Sequence, residues 1–176
     1  KMAWKIEVSD NFTDQADLVQ GIRDLGIDEI ESVDYTRLYF LEGGSPIKSE
    51  TSFSSSQIDL ICSELLADNI TQSYHFQPEN LEESDPGYSV EVRFKPGVTD
   101  SVGESVGKGI QDLEIAPGSS NSNLDDGPPI SAQTGRQYRF HFKSKRIGND
   151  AKRRILKTIA TRLLANDVIE TFEISL

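Results

Sequence analysis

Residues 65–76 read LLADNITQSYHF and residues 163–174 read LLANDVIETFEI. Both begin at the end of an apolar-striped helix and run through a polar turn into an alternating strand, with Ile70 and Val168 in the same slot. Such self-similarity marks an internal duplication, and it governs every later assignment. The match extends outward. GIRDLGI at 21–27 corresponds to GIQDLEI at 109–115, and TRLY at 36–39 to GRQY at 135–138, which pairs Arg37 with Arg136 and Tyr39 with Tyr138. The offset grows from 88 (109 − 21) to 99 (136 − 37), so the second copy carries 11 more residues (99 − 88) before its aromatic strand.

Those extra residues fall in APGSSNSNLDDGPPISAQT, whose Pro, Gly, Ser and Asn content cannot fill a core; residues 116–134 are expected to be a flexible, exposed insertion. The copies are joined by an acidic, proline-containing stretch without a basic residue. The expected organisation is one repeat over 1–78, a linker over 79–87 and a second repeat over 88–176.

Within each repeat the periodicity alternates. WKIEV and YSVEVRF alternate large and charged residues like half-buried strands. Leu18, Ile22 and Leu25 share one helical face, as do Val102, Val106, Ile110 and Leu113. Thr13 and Thr99 are candidate caps, with Asp14 and Asp100 favouring the positive helix end. VDYTRLYFL and RQYRFHF read as strands, then Ile58, Ile61, Leu65 and Leu66, matched by Leu156, Ile159, Leu163 and Leu164, as a second helix. The fold class is therefore α+β, with two β-α-β-α-β repeats. A unit this small has exposed sheet edges and is marginal alone, so the two are expected to pair as a pseudo-twofold internal dimer of antiparallel sheets covered by helices.

The chain has 176 residues and a formal net charge of −11, from 29 acidic and 18 basic side chains. Such a field repels phosphate backbones and anionic lipid, so neither nucleic acid nor membrane is an expected partner. No apolar run reaches membrane-spanning length and the start lacks a signal-peptide core, which points to a cytoplasmic protein. The single cysteine, Cys62, lies among Ile58, Ile61, Leu65 and Leu66 and reads as a packed thiol.

With the repeats in place, the second copy resembles a known family. VEVRFKPGVTDSVGESVGKGIQDL is similar to the opening of PurS, the small component of formylglycinamidine ribonucleotide synthase, with Lys95, Pro96, Gly97, Val98, Asp100 and Gly103 on the matching positions. GRQYRFHF resembles the Gly-Lys-Tyr strand of that family with arginine for lysine, and LLANDVIETFEI resembles its closing helix and strand. The first copy matches less well, because SDNFTDQAD lacks the Lys-Pro-Gly element.

The resemblance implies a non-catalytic protein of purine biosynthesis that bridges a glutaminase, the source of ammonia, and an ATP-dependent synthetase acting on formylglycinamide ribonucleotide. It also implies that the chain binds no cofactor itself, although the complex uses ATP, Mg and glutamine, and that tandem units can assemble further. It fits a stand-alone fused dimer or the N-terminal region of a longer synthetase equally well.

Lys95, Pro96, Gly97 and Asp100 are candidate partner contacts, although a rigid turn at a strand exit selects Pro and Gly for backbone reasons alone. Arg37, Tyr39, Arg136 and Tyr138 are candidates because Arg and Tyr are enriched at interface centres. No catalytic, cofactor or metal residue is assigned: His75 and His141 have no second ligand at metal spacing, and no P-loop, dinucleotide fingerprint or glutaminase nucleophile is present. Lys143–Arg146 with Lys152, Arg153 and Arg154 form the one notable cationic run. The competing reading is a tandem α+β module that binds a regulatory small molecule in a cleft.

Overall fold

The computed structural model describes residues 3–43, 53–79, 87–114 and 130–176. The chain is mixed α+β. Its strands are β1 (Trp4–Asp10), β2 (Ile30–Gly43), β3 (Gln72–Pro78), β4 (Ser89–Phe94), β5 (Ile130–Phe142) and β6 (Glu170–Ser175). Its helices are α1 (Ala16–Asp24), α2 (Ser55–Ile61), α3 (Ser101–Asp112) and α4 (Asn149–Ile159). The strands form one antiparallel sheet in the order β3-β1-β2-β5-β4-β6. Ile6 pairs with Tyr39 and Phe76 in the first half, and Val90 with Tyr138 and Ile174 in the second, which places matching residues of the two sequence halves in matching registers.

Two compact units result, and each draws on both halves of the sequence. The first comprises Lys1–Asn11, Arg37–Glu82 and Thr99–Thr134, and the second Phe12–Thr36, Glu83–Val98 and Gly135–Leu176. In the first unit, Trp4, Ile6 and Val8 of β1 and Tyr39 and Leu41 of β2 pack against Ile58, Ile61, Cys62 and Leu66, but also against Val106 and Ile110 of α3. In the second, Val90, Val92 and Phe140 pack against Leu156, Ile159, Ala160 and Leu164, and against Ile22 of α1. The first helix of each half therefore completes the core built on the strands of the other half. Burial of these side chains contributes about 1.5 to 3 kcal/mol each, so losing the borrowed helix would open either core.

The second helix of each half ends the same way. After Ile61 and Ile159 it widens into a π turn, Cys62–Leu66 and Ala160–Leu164, closed by Ala67 N–H to Cys62 C=O and Ala165 N–H to Ala160 C=O, both 2.9 Å. The wider turn rotates Leu65 and Leu163 out of the buried stripe expected for them, leaving them 38% and 41% exposed. Each instead meets a glycine of the borrowed helix: a Cβ on Gly109 would lie 2.9 Å from Leu65 Cδ2, and one on Gly21 would lie 3.8 Å from Leu163 Cδ1.

Caps explain the helix boundaries. Ser54 and Gln57 form a reciprocal capping box on α2. Asp100, not Thr99, caps α3: its carboxylate accepts from Gly103 N–H at 2.9 Å and from Thr134 N–H at 2.6 Å, tying the helix to β5. Gly103 permits the approach, since a Cβ there would sit 2.4 Å from the Ala132 carbonyl oxygen. In α1 the corresponding capping bond is missing, and the cap position is Gln15 rather than Thr13. Residues 130–134, expected to close an exposed insertion, form the start of β5, with Ile130 and Ala132 packed on the first core. The rest of that insertion, 116–129, and linker residues 80–86 lie outside the described residues.

The two first helices differ at their ends. Gly26 adopts φ +87° after α1, where Gly26 N–H reaches Arg23 C=O at 2.8 Å and Ile27 N–H reaches Ile22 C=O at 3.3 Å. The same slot after α3 holds Glu114 at φ 58°, a conformation that costs a non-glycine residue about 1 kcal/mol or more. Glu114→Gly is expected to raise stability by about 0.5 to 1 kcal/mol, and Gly103→Ala to lower it by about 2 kcal/mol or more. Urea denaturation of the two variants checks both signs.

Candidate functional site

The most organised exposed feature lies in the second unit, where two turns are bonded side by side. The strand exit Lys95–Val98 is a β-turn closed by Val98 N–H to Lys95 C=O at 3.2 Å, with Pro96 at its first corner and Gly97 at φ +86° at its second. That is the residue order a type II turn demands, so turn chemistry accounts for Pro96 and Gly97, and both are exposed. Lys95 holds the adjacent turn: its N–H donates to Ile169 C=O at 2.8 Å, and its Nζ donates to Asp167 C=O.

The adjacent turn, 166–170, is internally braced. Asn166 Oδ1 accepts from Val168 N–H at 3.0 Å, Asn166 C=O accepts from Glu170 N–H at 2.7 Å, and Glu170 Oε1 accepts from Asn166 N–H at 3.0 Å. Val168 stands on its tip, 75% exposed. Beneath it lies Arg136. Its guanidinium donates to Glu170 Oε2 at 2.8 Å and Oε1 at 3.2 Å, to the Leu164 carbonyl at 2.8 Å and to Tyr138 Oη at 3.3 Å. It therefore forks onto a carboxylate that is only 8% exposed and caps the C-terminal end of the π turn. The Tyr138 ring lies 5.3 Å from that of Tyr35.

Charge follows from this packing. Burial acts to raise the Glu170 carboxyl, but hydrogen bonds from Arg136 and Asn166 outweigh it and hold the group below its ordinary value. Burial also acts against the Arg136 cation, and the bonds to Glu170 and Tyr138 reverse that effect and raise its pKa. The Tyr138 phenol is pushed up by burial, an effect that Arg136 only partly offsets.

The first unit carries the same turn with different chemistry. Asp68 Oδ1 accepts from the N–H groups of Ile70 at 2.8 Å and Thr71 at 3.1 Å, which lowers its pKa. Gln72 takes the place of Glu170, accepting from Asp68 N–H at 2.9 Å and donating to Asp10 Oδ1 at 2.7 Å. Ile70 stands on the tip, 84% exposed.

Of the residues singled out from sequence, Lys95, Pro96, Gly97, Arg136 and Tyr138 all lie in the second unit, around or beneath this tip. Asp100 is committed to capping α3. Tyr39 is 6% exposed in the first core, and Arg37 is exposed on β2 opposite Val8. Lys152 does not belong to the cationic run: it is 4% exposed, with its Nζ 4.0 Å from the centre of the Tyr88 ring. His141 Nε2 pairs with Asp34 Oδ2 at 2.7 Å. Among the described residues no group of three or more metal-binding side chains occurs, and no helix is long and apolar enough to cross a membrane. Cys62 is packed in the first core, where burial, helped by Asp59, pushes its thiol up to about 12.

Sequence reasoning missed two features. The exposure of Ile70 and Val168 was readable from their flanks, since Asp-Asn and Asn-Asp turns cannot bury the residue that follows. Glu170, the partner of Arg136, had no local signal, because the two residues are 34 apart in the chain. No protein-family model matches the chain and no curated protein matches it.

Removing one member of the Arg136–Glu170 pair leaves the other buried without its counter-charge. Arg136→Ala is expected to cost about 2 to 4 kcal/mol, and the Arg136→Met, Glu170→Met double variant less than the sum of the single ones. A depressed carboxyl contributes stability that is complete above its unfolded pKa, about 4.3 for glutamate, and is lost as pH falls through the lower folded value. The gap between wild type and Glu170→Gln should therefore narrow on acidification below about pH 4.3. Urea midpoints across the acidic range measure it.

Proposed function

We propose that this chain is a non-catalytic bridging component of phosphoribosylformylglycinamidine synthase, the glutamine-dependent, ATP-consuming ligase of purine biosynthesis. The observation that carries the reading is convergence. Parts of the three segments that resemble PurS, 95–98, 135–138 and 163–174, meet in the second unit, where Lys95 bonds the 166–170 turn and Arg136 bonds both Leu164 and Glu170. Packing alone does not require three distant segments that resemble one family to build one surface feature.

In this role the two repeats are PurS-like, and each presents a braced turn with an exposed apolar tip, Ile70 in one and Val168 in the other. Braced turns give a partner a fixed shape to bind, which lowers the ordering cost of association. The partners are the glutaminase that releases ammonia and the synthetase that uses ATP to install it. ATP, Mg and glutamine belong to the complex, and the site of action is the cytoplasm.

The test is co-purification of the chain with formylglycinamidine synthetase and glutaminase components in the presence of ADP and glutamine, followed by glutamine-dependent turnover with and without the chain. The chain is expected to enter the complex and to be required for glutamine-dependent but not ammonia-dependent turnover. Val168→Asp and Ile70→Asp should each weaken entry without lowering the thermal midpoint, because both side chains are solvent-exposed. Failure to bind either component, with turnover unchanged, would overturn the proposal.

A further inference from the structure

Among the described residues β3 is an edge strand, pairing only with β1. Two bonds bracket that pairing: Asn11 N–H to Thr71 C=O at 2.8 Å, and Glu79 N–H to Ala3 C=O at 2.9 Å. In an antiparallel ladder alternate residues face the neighbour, so Ser73, His75 and Gln77 bond toward β1. The N–H and C=O groups of Tyr74 and Phe76 then point away from the sheet. Natural edges are blunted by charge, proline or bulges. Here the seven residues QSYHFQP contain no charged side chain, although at the 27% charge of the whole chain such a stretch would carry about two. Every other strand described contains at least two, and β6, the opposite edge, has Glu170 and Glu173.

We infer that β3 is a self-association edge, which pairs antiparallel with β3 of a second copy of this chain about a twofold axis through His75. That axis sets Tyr74 opposite Phe76 of the second copy, and Phe76 opposite its Tyr74, so each pair exchanges two N–H to C=O bonds. The next outward positions, Gln72 and Pro78, also meet. There Pro78 has no N–H to donate, and the Gln72 N–H is already bonded to Asp68 C=O at 2.9 Å. Both ends of the match therefore close without an unsatisfied donor. On one face the aromatic rings of Tyr74 and Phe76, stacked with centres 6.4 Å apart, continue into those of the second copy. On the other face the two His75 side chains stand directly opposite each other, each flanked by Glu7 on its own β1.

The matching position in the second unit carries a residue that opposes such pairing. There Glu173 takes the place of His75 and sits in register with Glu91, a carboxylate that would be repelled across a twofold axis. His75→Glu transfers that arrangement to β3, at an exposed position the fold already tolerates in its other unit. Sedimentation velocity over roughly 1 to 300 µM chain, the range in which weak interfaces report, is expected to show wild type passing from monomer to dimer. His75→Glu should weaken self-association at least about tenfold, as expected for like charges placed opposite each other, whereas Thr171→Glu on β6 should leave it unchanged. Amide exchange of Tyr74 and Phe76 should slow as concentration rises. A wild-type chain that stays monomeric, a dimer that survives His75→Glu, or one lost in Thr171→Glu would each overturn the inference.

Discussion

The fold depends on an exchange of helices. α1 belongs by sequence to the strands of the first half, yet Ile22 packs in the core built on β4 and β5. α3 belongs to the second half, yet Val106 and Ile110 pack on β1 and β2. A three-stranded sheet with one covering helix leaves apolar surface open to water, and small units have little stability to spare. Each half supplies the helix that the other half requires, so neither core is complete without both. The glycines at the crossings follow from this arrangement: Gly109 and Gly21 sit where a borrowed helix meets the π turn of its host, at Leu65 and Leu163.

The two halves share one geometry and differ in chemistry. The turn after the π segment is held in one unit by neutral amide groups and single carboxylates, through Gln72, Asp68 and Asp10. In the other it is held by a forked arginine on a nearly buried glutamate. Because the second version buries charge, it depends more on its partners staying in place. Its dependence on pH comes from the same cause. The Lys-Pro-Gly turn occurs only beside this version, so the unit with the charged brace also has the second, bonded turn.

Much of this was readable from the residues. Helical stripes and alternating strands located the ten strands and α-helices found among the described residues, and the matched segments located corresponding elements of the two halves. Which strands each helix covers was not readable, because Leu18, Ile22 and Leu25 form a stripe that fits either half of the sheet equally well. The stretch 130–134 reads as loop because ISAQT looks polar, although Ile130, Ala132 and Thr134 alternate inward. The π turns were hidden because a 3.6-residue period places Leu65 and Leu163 inside, and only the wider turn moves them out. At the candidate site the Pro-Gly turn could be read from local chemistry, whereas the Arg136–Glu170 pair joins strands distant in sequence and left no periodic trace.

The helix exchange is tested most directly by cutting the chain. A protease site placed within residues 80–86 separates the two sequence halves while leaving every described element intact. After cleavage, the two fragments are expected to run as a single 1:1 complex in native size-exclusion chromatography and to part only in denaturant, with one cooperative transition. Fragments that separate in native buffer as two folded monomers would show that each half completes its own core, and would contradict the exchange.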